Sequence, residues 1–189
     1  MATTRIEPAI VSPEDQRVTF VELFFDLVFV YAVTGVVVFI HDDLSWEGAA
    51  RGVVLFWLVW WAWTQFTWAL NSTDTTHPLV DFTMLVATGV AFLMAVTIPS
   101  AFGGAGIWFA ATPVAVRLLG LAIYSRVAWE DATKRHPLLL FALLSLSGLV
   151  AVIAGGLAEP EHRVWWWAAA LVLDLIAATM AGSAEGWDI

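Results

Sequence analysis

Four ionisable residues interrupt otherwise apolar stretches of this 189-residue chain, and their types could support acid–base or ion-binding chemistry. Glu22 and Asp26 share one stretch, whereas Arg117 and Asp174 each lie in the middle of another. Inside a membrane-spanning helix an ionisable side chain costs about 2.5–3.5 kcal/mol on insertion scales, so those that remain typically face the bundle interior or a wet cavity. The four residues therefore form a candidate charge cluster.

The balance of charge in this cluster indicates what it would bind. Three acids stand against a single guanidinium, and crowded carboxylates in a low-dielectric interior either keep a proton or recruit a cation. Arg117 is the natural counter-ion of Asp26, Asp174 or both, because its planar fork suits carboxylates and stays charged. The pattern favours a pathway for protons or small cations. The alternative is that an Arg–Asp pair only guides helix packing.

Depth along the helices connects three of these residues. At 1.5 Å per residue, Asp26 lies about 12 Å inside its helix, and Arg117 and Asp174 lie about 15 and 12 Å from the helix ends on the same side. We therefore expect Asp26, Arg117 and Asp174 in one layer of the bundle. Glu22 has a simpler alternative, because Thr19-Phe20-Val21-Glu22 fits a capping box at a helix start.

Three further residues are candidates for the surroundings of the cluster. Tyr124 lies two turns beyond Arg117 on the same helical face, and Trp61 belongs to a tryptophan-rich face of the second apolar stretch. Asp81 stands at the start of the third stretch. Its alternative is a solvent-exposed acid at a helix start, which the positive end of the helix dipole stabilises. For Trp61 the alternative is a packed or lipid-facing aromatic stripe.

The composition indicates that these side chains lie on membrane-spanning helices. Hydrophobic residues make up 60% of the chain, charged residues 13%, and the mean hydropathy is +0.81, so the polar skin of a water-soluble globule is missing. A membrane-crossing helix needs about 20 apolar residues. Six such runs with short connections predict one all-α, polytopic transmembrane bundle over residues 18–182. The runs cover residues 18–40, 49–70, 79–98, 107–127, 137–157 and 163–182.

The same composition excludes several classes of function. A net charge of −9 without a basic cluster argues against nucleic-acid binding. The chain has no cysteine, and its four histidines show no metal-ligand spacing on one helix. Phosphate-loop, nucleophile-elbow and dinucleotide motifs are absent from the sequence. We therefore expect no enzyme activity, no bound metal and no cofactor.

Basic residues predict the orientation, because basic loops tend to stay in the cytoplasm. Two of them, Arg51 and Arg163, fall on one side of the predicted bundle, and five fall on the side of the amino terminus. Residues 1–17 and 183–189 are therefore expected as cytoplasmic tails. The five basic residues on that side are Arg5, Arg17, Arg126, Lys134 and Arg135.

A family resemblance rests mainly on the first apolar stretch. Its segment ELFFDLVFV, residues 22–30, closely resembles the signature of the bacterial low temperature requirement A family. The resemblance covers nearly all of the chain and implies a polytopic inner-membrane protein with a proposed role in growth at low temperature, without a known substrate or cofactor. Supporting segments are Trp60-Trp61-Ala62-Trp63, Arg117-Leu118 followed by Tyr124 and Arg126, and Leu173-Asp174-Leu175.

The resemblance also bears on partners. Members of the family generally continue into a second, comparable set of hydrophobic helices, so this chain resembles their amino-terminal half. Transporter sites often form between two such halves. Besides the lipid bilayer, we therefore expect either the second half or another copy of this chain as a partner.

These observations favour transport or conduction of a small cation or proton. In this hypothesis Asp26 titrates or coordinates the ion, Arg117 and Asp174 set its charge environment, and Glu22 is an entrance group or a cap. The alternative is a non-catalytic membrane scaffold or stress-related assembly factor, whose buried charges only guide helix pairing.

Overall fold

A computed structural model describes residues 18–71, 73–75, 77–130 and 135–182 of the chain. The predicted tails, residues 1–17 and 183–189, and Lys134 lie outside the described residues. The all-α prediction is confirmed: the described residues form six α-helices in succession, with a short 3-10 helix at Ile98–Ser100. They are α1 (Phe20–Asp42), α2 (Trp46–Asn71), α3 (Pro78–Thr97), α4 (Gly106–Glu130), α5 (Arg135–Leu157) and α6 (Pro160–Gly182).

Five of these helices are long and apolar enough to cross a membrane, namely α1, α2, α3, α4 and α6. Helix α5 has 23 residues, and its described apolar part covers Ser145–Leu157. Many large apolar side chains point outward, for example Leu27 and Val30 on α1 and Phe92 on α3. An outer surface of this kind is what a lipid-facing bundle requires, because hydrocarbon replaces water as its solvent.

Helix starts explain where the predicted boundaries differ. Helix α2 begins at Trp46, three residues earlier than predicted, because Ser45 caps it by accepting the Gly48 N–H at 3.0 Å. Helix α6 begins at Pro160, again three residues earlier, since proline is favoured in the first helical turn. At these two starts the helix extends outward beyond its apolar run, whereas α1 begins at Phe20, two residues after the predicted start.

The contacts between helices determine which side chains can meet inside the bundle. Helix α1 has its main contacts with α2 and α3, while α4 contacts α2, α3 and α5. Helix α6 packs mainly on α5 and also reaches α2. Side chains of α2, α4, α5 and α6 can therefore meet in a common interior, whereas α1 stands on the other side of α2.

Candidate functional site

An ion pair between α4 and α6 occupies the common interior of four helices. Arg117 Nη2 donates to Asp174 Oδ1 at 2.6 Å, and Arg117 Nη1 donates to Asp174 Oδ2 at 3.1 Å. This is the two-point contact that a guanidinium and a carboxylate favour. The Arg117 side chain is 2% exposed and the Asp174 side chain 1%. The pair is thus removed from lipid and from water.

Two neutral side chains complete the hydrogen bonding of Arg117. Its Nε donates to Gln65 Oε1 on α2 at 2.6 Å, and Nη2 donates to Ser145 Oγ on α5 at 2.9 Å. Gln65 Nε2 in turn donates to Ser145 Oγ at 3.1 Å. Each of the four helices therefore contributes one side chain to a closed network, which we call the Arg117 network: Gln65, Arg117, Ser145 and Asp174.

Local sequence spacing aims each helix at this network. On α2, Trp57, Trp61 and Gln65 recur every four residues and so lie on one face. On α5, Ser145 and Gly148 are three residues apart, and a Cβ built on Gly148 would lie 2.6 Å from Asp174 Oδ1. Glycine at 148 is what lets the backbone of α5 approach the carboxylate this closely.

Two indole groups border the Asp174 carboxylate. Trp57 and Trp61 stack with ring centroids 5.2 Å apart, and both indoles are near enough to Asp174 to act on its charge. Both Nε1 nitrogens are buried, and their N–H groups interact with the Asp174 carboxylate, although neither meets strict hydrogen-bond geometry. Two weakly engaged donors therefore stand beside the acid.

The expectation that Asp26 joins Arg117 and Asp174 is wrong. Asp26 is exposed on α1, where its Oδ1 accepts the Trp63 Nε1–H at 2.8 Å. The buried face of α1 is formed instead by Phe25, Val28 and Phe29 with others, and it packs on α2 and α3. Counting residues from a helix end gives the position of a residue along the helix but not the direction in which its side chain points. Helix α1 is oriented so that Asp26 points away from α4 and α6.

The other four predicted site residues lie in four different places. Glu22 is a cap: its backbone N–H donates to Thr19 Oγ1 at 3.2 Å, and the Thr19 hydroxyl donates to Glu22 Oε1 at 3.3 Å. Asp81 lies in the first turn of α3, and Tyr124 packs partly buried against the hydrophobic core. Of the three residues predicted around the cluster, Trp61 is the one that borders the Arg117 network.

Neither the network members Gln65 and Ser145 nor the neighbouring Gly148 is among the predicted site residues. The available signal was their occurrence as polar or small residues within apolar helices. This signal is weak, because hydroxyl side chains in such helices commonly bond to the carbonyl a turn before, as Thr88 does to Met84 O at 2.7 Å. Only the helix arrangement separates a bridging serine from one that is satisfied locally.

The network carries one positive and one negative formal charge, so the predicted excess of acid is not assembled there. Within the described residues, no group of three His, Asp or Glu side chains is placed to hold a metal ion. What the network can do chemically is change its charge when Asp174 takes up a proton, since Arg117 stays charged.

A second buried arginine serves a different purpose. Arg163 Nη1 donates to the carbonyl oxygens of Ala101 at 2.9 Å and Gly103 at 2.6 Å, and Nη2 donates to Ala158 O at 3.2 Å. These acceptors are neutral carbonyls at the α3–α4 connection and at the end of α5. Arg163 therefore fastens three chain segments together at one end of the bundle.

Comparison with known proteins places this architecture in a family. A curated protein of Rhizobium meliloti (strain 1021), described as uncharacterized, is 32% identical over 169 residues. The match covers 88% of this chain but 41% of that relative, so the chain spans about two fifths of its length. No solved structure matches. Residues 17–189 match the family described as bacterial low temperature requirement A protein, and the chain belongs to that family of membrane proteins.

Proposed function

We propose that the chain conducts or transports protons or a small cation across the membrane, with Asp174 as the group that changes its protonation state. The observation that carries this proposal is the buried Arg117–Asp174 pair with the N–H groups of two indoles beside the carboxylate. Asp26 has no part in this mechanism, because it stands apart from the pair.

The energetics of a buried ion pair support a functional reason for keeping it. Replacing such a pair by apolar side chains of similar volume is often neutral or stabilising, so stability alone does not explain its presence. Protonation of Asp174 would leave Arg117 with only Gln65 and Ser145 as neutral partners. The carboxyl group could then move toward Trp57 and Trp61, whose N–H groups would stabilise it when it ionises again. Two positions of one acid are the minimal requirement for a proton relay.

The test is proton flux in proteoliposomes containing a trapped pH-sensitive dye, driven by an imposed pH gradient or potassium diffusion potential. We expect Asp174→Asn to reduce flux to the level of protein-free vesicles, because the amide cannot ionise. The matched control is Asp42→Asn, an exposed acid at the end of α1, which should keep the wild-type rate. Wild-type flux from Asp174→Asn would overturn the proposal.

A second variant guards against misfolding. Asp174→Asn leaves a buried guanidinium without its counter-charge, which can unfold the protein. The double variant Arg117→Met with Asp174→Leu removes both charges and restores an apolar interior, so it should fold while conducting no protons. Size-exclusion profile and melting temperature establish how much folded protein enters each vesicle preparation.

A non-catalytic scaffold is the second candidate, and one observation favours it. The members of the Arg117 network satisfy one another, with one side chain from each of four helices, as in a structural clamp. If the protein is a scaffold, the Arg117→Met, Asp174→Leu double variant should support growth at low temperature as the wild type does. Reconstituted wild type should then show no proton flux above protein-free vesicles. An assembly factor for growth under cold stress is the form of this candidate that the family description favours.

We also propose an inner-membrane location with both termini in the cytoplasm. The two basic residues assigned to the outer side converge on one connection: Arg51 lies 5.3 Å from the Phe102 ring centroid, and Arg163 binds the Ala101 carbonyl. By sequence, the excess of basic residues falls before α1 and around the α4–α5 connection, and basic loops tend to stay in the cytoplasm. Alkaline phosphatase and green fluorescent protein fusions at each terminus should give fluorescence and no phosphatase activity. The opposite pattern would reverse the topology.

The partner in the membrane is proposed as a second helical half or another copy of this chain, since the matched relative is more than twice as long. Mass measurement of the purified protein in detergent distinguishes a monomer from a dimer. A strict monomer with full flux would contradict this partner proposal without affecting the role of Asp174.

A further inference from the structure

A groove on the outer face of α1 and α2 is separate from the Arg117 network. It has a volume of about 550 Å³, which is in the range of small-molecule sites in proteins. Its walls are apolar side chains, among them Phe29, Val33 and Val59, together with Trp60 and Trp63. One carboxylate, that of Asp26, opens into it.

This carboxylate lacks a counter-ion. Among the described residues, no Lys, Arg or His side chain forms an ion pair with Asp26. The hydrogen bond from Trp63 Nε1 fixes Oδ1, and a carboxylate can accept several more donors. Asp26 lies six residues into α1, or about 9 Å along the helix, within a segment that is long and apolar enough to cross a membrane. An acid at that depth calls for a positive partner.

The groove suits an organic cation better than a metal ion. A bare metal ion needs about six oxygen ligands, whereas the groove offers the Asp26 carboxylate and the Thr34 hydroxyl, eight residues away. The Thr34 hydroxyl already donates to Val30 O at 2.9 Å. An organic cation instead uses the apolar walls, and indole rings attract its charge through their faces.

We propose that the groove binds a lipophilic organic monocation, with its ammonium or phosphonium centre next to Asp26 and its apolar body against the groove walls. Trp60, which is 37% exposed, and Trp63 supply the aromatic contacts. The site is independent of the Arg117 network. Such a cation can come from a free amphiphile or from the ammonium group of a lipid, because both present the same chemistry.

The test is equilibrium binding to the purified protein in dodecyl maltoside, a neutral detergent. Tetraphenylphosphonium and tetraphenylborate have nearly the same size and shape but opposite charge. We expect the cation to bind at least ~10-fold more tightly than the anion, because the Asp26 carboxylate and the indole faces attract a positive charge, whereas the carboxylate repels a negative one. Equal binding of the two ions would overturn the proposal and identify the groove as an apolar lipid contact.

Variants locate the site. Asp26→Asn keeps an acceptor for the Trp63 N–H, so it should fold normally. We expect it to weaken phosphonium binding ~10-fold without weakening borate binding, because the charge that repels the anion is gone. Asp42→Asn, at the other end of α1, is the matched control and should bind like wild type. Asp174→Leu with Arg117→Met should also bind normally, which separates this site from the proposed function. Unchanged phosphonium binding by Asp26→Asn would contradict the assignment.

Nanodiscs distinguish the two sources of the cation. If phosphatidylethanolamine competes with phosphonium, substituting it for an uncharged glycolipid at a fixed fraction of phosphatidylglycerol should raise the apparent Kd for phosphonium, and the lipid ammonium group is then the natural occupant. An unchanged Kd assigns the groove to a free amphiphilic cation.

Discussion

At the scale of residues, the central feature is that Arg117 and Asp174 depend on each other. Removing one member of a buried pair leaves the other charge unpaired and lowers the free energy of unfolding by about 3–5 kcal/mol, whereas replacing both is often neutral. We therefore expect Asp174→Leu to lower the free energy of unfolding far more than the double variant with Arg117→Met does. Denaturant unfolding in detergent measures this difference. Additive effects of the two single substitutions would show that the pair is not coupled.

Gly148 sets how closely α5 approaches the pair. A methyl group at this position would lie 2.6 Å from Asp174 Oδ1, so Gly148→Ala must displace the carboxylate or the helix. We expect a loss of about 1–3 kcal/mol, as for other overpacked interiors. The matched control is Gly89→Ala on α3, where no atom lies within 4 Å and the added Cβ should stabilise the helix by roughly 0.5–1 kcal/mol. Melting temperatures that move in the same direction for both variants would contradict this explanation.

At the scale of elements, the α1–α2 turn contains an acid that responds to pH. The hydroxyl and backbone N–H of Ser45 favour the charged form of Asp43 and hold its pKa below the ordinary value, with a smaller contribution from Arg51. A folded-state pKa below the unfolded one stabilises the fold at pH values above the unfolded pKa, and this stabilisation disappears as the pH falls through the folded pKa.

We therefore expect Asp43→Asn to be less stable than wild type at neutral pH and equally stable in strong acid. Melting temperatures of the two proteins across an acid pH series provide the measurement. A difference that persists unchanged at the lowest pH would show that the Asp43 charge is not responsible.

Most of the helical architecture could be predicted from the sequence, because about 20 consecutive apolar residues have few other structures in a membrane. The cap at Thr19 and Glu22 could also be predicted, because a capping box depends only on residues three apart in the sequence. The pairing of α1 with α2 and α3 could not, because rotation of an apolar helix depends on contacts with other helices. The prediction for Asp26 was wrong for this reason: α1 carries large apolar side chains on nearly all of its faces, so its sequence does not indicate which face is buried.

At the scale of the whole molecule, the bundle separates two polar features on opposite sides of α2. The Arg117 network is enclosed by four helices, and the Asp26 groove opens outward between α1 and α2. Helix α2 contributes to both, through Trp57, Trp61 and Gln65 on one face and Trp60 and Trp63 on the other. Its tryptophan-rich sequence thus borders an enclosed ion pair and an open groove at once.

The measurement that most directly tests the central claim is proton flux through proteoliposomes that contain equal amounts of folded wild type and folded Arg117→Met, Asp174→Leu double variant. If Asp174 carries the proton, wild type should conduct above protein-free vesicles and the double variant should not. Equal flux from both proteins would contradict the account.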